Sequence, residues 1–140
     1  MRNTIRLVLA TIFLLGWMQV QAEEIVQESI PGTTKISAEE LINLAQTDSN
    51  LVMIDSRKPS DYAKGYIEGS RNLPDTETTA KTLASHIPSK STPVIFYCNG
   101  IRCGRSANAA KIAVSAGYTN IYWFRGGWGE WTAKGYPTAR

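Results

Sequence analysis

The chain has 140 residues, 43% of them hydrophobic and four of them Trp, which is roughly one globular domain's worth. Its formal charge of +3 lies partly at the start and falls to +1 without Arg2 and Arg6. That balance excludes the strong basic excess of a nucleic-acid binder.

Arg2 and Arg6 form a short positive region, and Leu7 to Val20 is a nearly unbroken apolar run. Val20-Gln21-Ala22 then puts small residues just before Glu23-Glu24. This order predicts a secretory signal peptide over residues 1–22, cleaved after Ala22. The competing reading is an uncleaved membrane anchor, but the run is shorter than the about 20 apolar residues of a spanning helix. The expectation is an exported, periplasmic chain of 118 residues with no stable membrane insertion. No cysteine near the cleavage site suggests a lipoprotein. The only cysteines are Cys98 and Cys103, and export places them in an oxidising compartment. A bridge between them would close a very small loop and constrain little of the unfolded chain.

Residues 23–32 read as a polar leader and 33–140 as the domain. Thr33 to Ile36 suggests a short strand. Ser37 with Glu40 makes a capping box, which opens a helix over residues 38–46. Leu51 to Ile54 is a continuous apolar run ending in Asp55, the pattern of a buried parallel strand. Lys58 to Gly69 reads as a loop with one helical turn, and Arg71 to Pro74 as extended. Thr76 to His86 reads as a helix stopped by Pro88. Pro93 to Tyr97 is the strongest strand pattern in the chain. A loop over 99–104 leads into a small-residue helix, Ser106 to Ala116, closed by Gly117. Ile121 to Phe124 reads as the last strand, and Trp128 to Lys134 as a final helix. Strands alternating with helices predict an α/β domain with a mainly parallel sheet and helices on both faces.

Ligands on such sheets bind at the carboxyl ends of strands. Cys98 ends the strongest strand, and NGIRCGRS leads from it into a helix. A helix N-terminus offers free N–H groups and partial positive charge. Gly100 and Gly104 permit an inward-facing cradle of amides, and Arg102 and Arg105 add full charge. These features favour a thiolate on Cys98, the nucleophilic form. They make residues 99–105, that is Asn99, Gly100, Ile101, Arg102, Cys103, Gly104 and Arg105, a candidate anion cradle.

The stretch YCNGIRCGRSANAA resembles the active-site loop of the rhodanese family. DSRKPSDYAKGYIEGSRNLP resembles that family's upstream signature, and FRGGWGEWTAKGYP its C-terminal one. The three blocks stand in the family's order from Leu51 to Pro137. The resemblance implies a single rhodanese-like domain and a sulfurtransferase. Cys98 thiolate would take the outer sulfur of a small anionic donor such as thiosulfate, form a persulfide, and pass the sulfur to cyanide or another thiol. It implies no metal and no organic cofactor, and allows a protein as sulfur acceptor. It also sets Asp55 and Arg57 at the pocket rim; the plainer reading of that pair is a strand-end turn with a surface ion pair.

The sequence departs from the family at three places. The usual short loop has Arg-Ser five and six residues after the cysteine; here Arg105-Ser106 is seven and eight after Cys98. Either the loop is longer, or Arg102 replaces the arginine. Cys103 is extra: a candidate resolving thiol, or a thiol without a role. Tyr66 stands where the family commonly has His. His86, the only histidine, reads as a solvated helix-end residue. Two other functions compete with sulfur transfer. One is a thiol–disulfide redox protein using Cys98 and Cys103; the other is a non-catalytic module that carries or binds sulfur.

Overall fold

The computed structural model describes residues 27–140. The predicted signal peptide and residues 23–26 of the leader lie outside the described residues. The rest of the leader packs on the domain. Ile30 is buried, and the Gln27 carbonyl accepts from Arg125 Nε at 2.8 Å.

Strand β1 (Thr34–Lys35) precedes helix α1 (Ala38–Thr47), which opens on the expected capping box of Ser37 and Glu40. Strand β2 (Val52–Asp55) is followed by the short helix α2 (Pro59–Tyr62) and the strands β3 (Tyr66–Ile67) and β4 (Arg71–Asn72). Next come helix α3 (Ala80–His86), strand β5 (Val94–Tyr97), helix α4 (Arg105–Ser115), strand β6 (Ile121–Phe124), helix α5 (Gly127–Ala133) and strand β7 (Thr138–Ala139). The main sheet is parallel throughout, in the order β1-β6-β5-β2-β4. The α/β class with helices on both faces is what the alternation of apolar runs predicts.

Alternation along β5 divides the core. Val94 and Phe96 face the layer of α3 and α4, packed with Leu83, Ala110 and Trp123. Ile95 and Tyr97 face the layer of α1 and α5, packed with Leu41, Phe124 and Trp131. Period-2 geometry therefore sends Tyr97 to one side of the sheet and Cys98 to the other. Four buried alanines of α4 (107, 109, 110 and 113) let that helix lie close on the sheet. Leu83 is fully buried, and truncating such a leucine to Ala costs about 2–5 kcal/mol.

Two local expectations fail. The helix predicted from Thr76 begins at Ala80, because Thr79 caps it through a box with Thr82, after a 3-10 turn over Asp75–Glu77. The antiparallel pair β3–β7 was absent from the sequence pattern; each strand has only two residues.

Candidate active site

Cys98 directly follows β5, at the carboxyl edge of the sheet. Its side chain is buried, 1% exposed, on the α4 side. Ser106, in the first turn of α4, donates from Oγ to Cys98 Sγ at 3.4 Å. The indole Nε1 of Trp123 donates to the same Ser106 Oγ at 3.0 Å. That donation occupies an acceptor position on the hydroxyl and leaves its hydrogen for the sulfur. A donor aimed at sulfur stabilises thiolate over thiol.

The loop from Asn99 to Gly104 is the longer of the two alternatives. Helix α4 starts at Arg105, and the Ser106 hydroxyl in its first turn reaches the cysteine. Its N-cap, Gly104, makes no side-chain capping bond, so first-turn N–H groups stay available at the cleft. Within the loop, Cys103 N donates to the Gly100 carbonyl at 3.0 Å. The amides of Asn99, Gly100, Ile101, Arg102 and Gly104 have no protein acceptor among the described residues. They belong to five of the seven residues, 99–105, that the sequence nominates as an anion cradle; the Cys103 amide is spent on Gly100.

The C-terminal glycine block clamps this loop from outside. Trp128 N donates to the Cys98 carbonyl and Gly129 N to the Asn99 carbonyl, both at 2.8 Å. Gly127, with φ +56°, sits where any Cβ would collide with the Cys98 carbonyl. Only glycine combines that backbone angle with that close approach.

A cleft of about 570 Å³ opens beside the loop, lined among others by Asp75, Arg102, Cys103, Arg105, Asn108 and Lys111. Three cations and one carboxylate face it. Arg105 Nη1 is held by Asp75 Oδ1 at 2.6 Å, while Arg102 is exposed. Ile101, 52% exposed, forms an apolar lip. Cys103 lines the cleft, and Cys98 lies buried behind the lining. The structure pairs the two sulfurs as a disulfide, with Cα atoms 6.3 Å apart.

Asp55 and Arg57 are not on the rim. They are 0% and 2% exposed and line none of the clefts described. Their contact is bidentate: Arg57 Nη2 to Asp55 Oδ2 at 2.6 Å and Nε to Oδ1 at 3.0 Å. Tyr97 donates to Asp55 Oδ2 at 2.8 Å, Arg57 donates to the Gly65 carbonyl at 2.7 Å, and the Trp128 ring covers the guanidinium at 4.6 Å. Burial opposes the charge on Arg57, yet the bonds to Asp55 and its negative charge prevail and raise its pKa. Burial and the neighbouring Asp55 push the Tyr97 hydroxyl well above its usual range. The surface ion pair of the plainer reading is thus a buried structural knot on the opposite face from Cys98. Trp128 stacks on it rather than walling the cleft.

Asp75, Lys111 and Gln27 were not singled out in sequence. Asp75 carries a weak signal, a carboxylate just after the Asn-Leu-Pro of the upstream block. Lys111 and Gln27, joined at 2.9 Å across the cleft, carry none, because folding alone brings them together. Tyr66 stacks on Tyr62 with ring centroids 4.1 Å apart, and His86 bonds its own helix at Thr82 O, 2.8 Å away.

The Rhodanese-like domain family model matches residues 37–134. The protein named "Putative thiosulfate sulfurtransferase, mitochondrial" of Schizosaccharomyces pombe is 34% identical over 109 residues, covering 69% of this chain and 75% of that one. A Saccharomyces cerevisiae protein named thiosulfate:glutathione sulfurtransferase is 31% identical over 98 residues, covering 63% and 69%. Among solved structures, the Alr3790 protein of Anabaena sp. superposes with a TM-score of 0.66 at 26% identity, covering 74% of this chain and 90% of that one. With the family signature spanning most of the domain, and sulfurtransferase names among similar proteins, this chain belongs to the rhodanese-like family.

Proposed function

We propose that the chain is a sulfurtransferase that moves sulfane sulfur from a small anionic donor, such as thiosulfate, through a persulfide on Cys98. The observation that carries this reading is the setting of Cys98 Sγ. It lies at a strand's carboxyl end, under the Ser106 hydroxyl, beside free loop amides and a cation-lined cleft. Family-level sulfurtransferase names among the relatives support the same reaction.

The reaction starts from the reduced pair. Cys98 thiolate attacks the outer sulfur of thiosulfate, the S–S bond breaks, and sulfite leaves with the bonding electrons. The loop amides and Ser106 hold the resulting persulfide anion. Arg102 and the Arg105–Asp75 pair position the donor's sulfonate end. Cyanide, a small thiol or a protein thiol then takes the outer sulfur and restores Cys98. No step calls for a metal or organic cofactor, and no nucleic acid takes part. Residues 1–22 would direct the chain to the periplasm, leaving the leader and the 33–140 domain. Isolation of a periplasmic form beginning at Glu23 supports export; a membrane-bound form that keeps Met1 contradicts it.

Thiocyanate formation from thiosulfate and cyanide tests the chemistry. Pre-reduced wild type should turn over, the disulfide form should be inert until reduced, and Cys98→Ser should be inactive. Wild-type rates in Cys98→Ser would contradict the reading.

A further inference from the structure

We infer that Cys103 turns the site into a sulfide-releasing one. The Cys103 thiolate attacks Sγ of the Cys98 persulfide, closes the Cys98–Cys103 disulfide and expels hydrosulfide. This rests on the Cys98 persulfide proposed above and concerns what becomes of it.

Three observations carry it. The two sulfurs meet in the folded chain, and the Cα separation of 6.3 Å lies inside the range of about 4.4–6.8 Å that disulfides use. No backbone rearrangement is therefore needed to close the bond. Second, Cys98 is 1% exposed, whereas Cys103 is partly exposed and lines the cleft. An external acceptor in the cleft meets Cys103 at its wall, whereas Cys103 is within bonding reach of the inner sulfur. A pre-positioned group within one loop reacts at an effective concentration no free acceptor reaches. Third, Cys103's position on the cleft wall leaves the product disulfide open to a second reaction, attack by an external dithiol at Cys103 Sγ.

The steps balance. Thiosulfate and Cys98 thiolate give sulfite and the Cys98 persulfide. Cys103 thiolate then forms the S–S bond to Cys98 Sγ while the bond to the outer sulfur breaks. That outer sulfur leaves as hydrosulfide with the electron pair and with the proton that the Cys103 thiol gives up on becoming the attacking thiolate. The cysteine pair is oxidised by two electrons and the sulfane sulfur reduced by two. An external dithiol reductant returns the pair to thiols by exchange. The net reaction consumes thiosulfate and a dithiol and yields sulfite, sulfide and the oxidised dithiol.

The test is a single turnover. Reduced, desalted protein receives equimolar thiosulfate under anaerobic conditions with no added thiol. Sulfite and bimane-trapped sulfide are quantified and intact mass is recorded. Wild type should release about one sulfite and about one sulfide per chain and end two protons lighter, while Cys103→Ser should release sulfite, hold one extra sulfur and release no sulfide. Cys103→Ala should repeat the Cys103→Ser result, with far-UV circular dichroism checking that both variants fold. Wild type that keeps the extra sulfur and yields no sulfide overturns the inference and leaves the persulfide standing. Sulfide from Cys103→Ser at the wild-type level overturns it too. Absence of sulfite from wild type and both variants means that the Cys98 persulfide itself fails, and this inference with it.

Discussion

At the carboxyl end of β2, Asp55 and Arg57 are sealed inside the fold, and every strong contact they make is to protein. One strand over, the loop after β5 leaves every amide but that of Cys103 without a protein partner among the described residues, and its Arg102 in solvent. Both sites gather charge at the same sheet edge, where ligands of parallel sheets bind. Yet the first has satisfied its charges internally and has nothing left to offer a substrate. The second leaves its groups open at the cleft, available to the anionic donor proposed above. The difference teaches that a strand-end position nominates a residue for function, while unmet hydrogen-bonding capacity decides it.

Mutations should separate the two sites. Arg57→Ala strands the buried Asp55 carboxylate and should cost about 3–5 kcal/mol in urea unfolding. If the loss is instead confined to activity, the knot belongs to the site after all. Ser106→Ala removes the donor to Cys98 Sγ. It should lower the rate of persulfide formation by about tenfold, or about 1.4 kcal/mol. Trp123→Phe should slow the same step by less, because its bond to the sulfur's donor runs through Ser106. Arg102→Ala should leave stability within about 0.5 kcal/mol of wild type, while raising the KM for thiosulfate with little change in kcat.

The smallest effect lies away from both sites. Lys134 Nζ and Tyr136 Oη bond Glu39 at 2.7 and 2.8 Å and, with Lys134 first, hold its carboxyl near pKa 2 instead of 4.5. A carboxyl lowered on folding stabilises above its unfolded pKa and loses that contribution as pH falls toward the folded one. The stability gap between wild type and Glu39→Gln should therefore be small at pH 7 and narrow between about pH 4.5 and pH 2. A gap that widens on acidification would contradict the assignment. The pair is fully solvent-screened, so the effect is slight.

Much of the fold was legible because its signals are local. The capping box of Ser37 and Glu40, the apolar runs of β2, β5 and β6, and the glycine stops each lie within a few residues. Thr79 was missed as a cap because its partner is Thr82, outside the usual Glu or Gln signature. Strands β3 and β7 are too short for a period-2 pattern to register. At the site, Cys98 and the cradle stood out because strand, loop and helix start are contiguous. The burial of Asp55 and Arg57, and the joining of Asp75 to Arg105, are decided by Tyr97, Trp128 and Gly65 and by the packing of α4, all distant in sequence. Charge is visible in a sequence, but its burial is not.

The central claim is the Cys98 persulfide, and intact mass of reduced Cys103→Ser after incubation with thiosulfate tests it most directly. The account predicts a gain of about one sulfur atom that disappears on adding cyanide and never forms when Cys98 is also replaced by Ser. A mass unchanged by thiosulfate, in a folded and fully reduced protein, would contradict it.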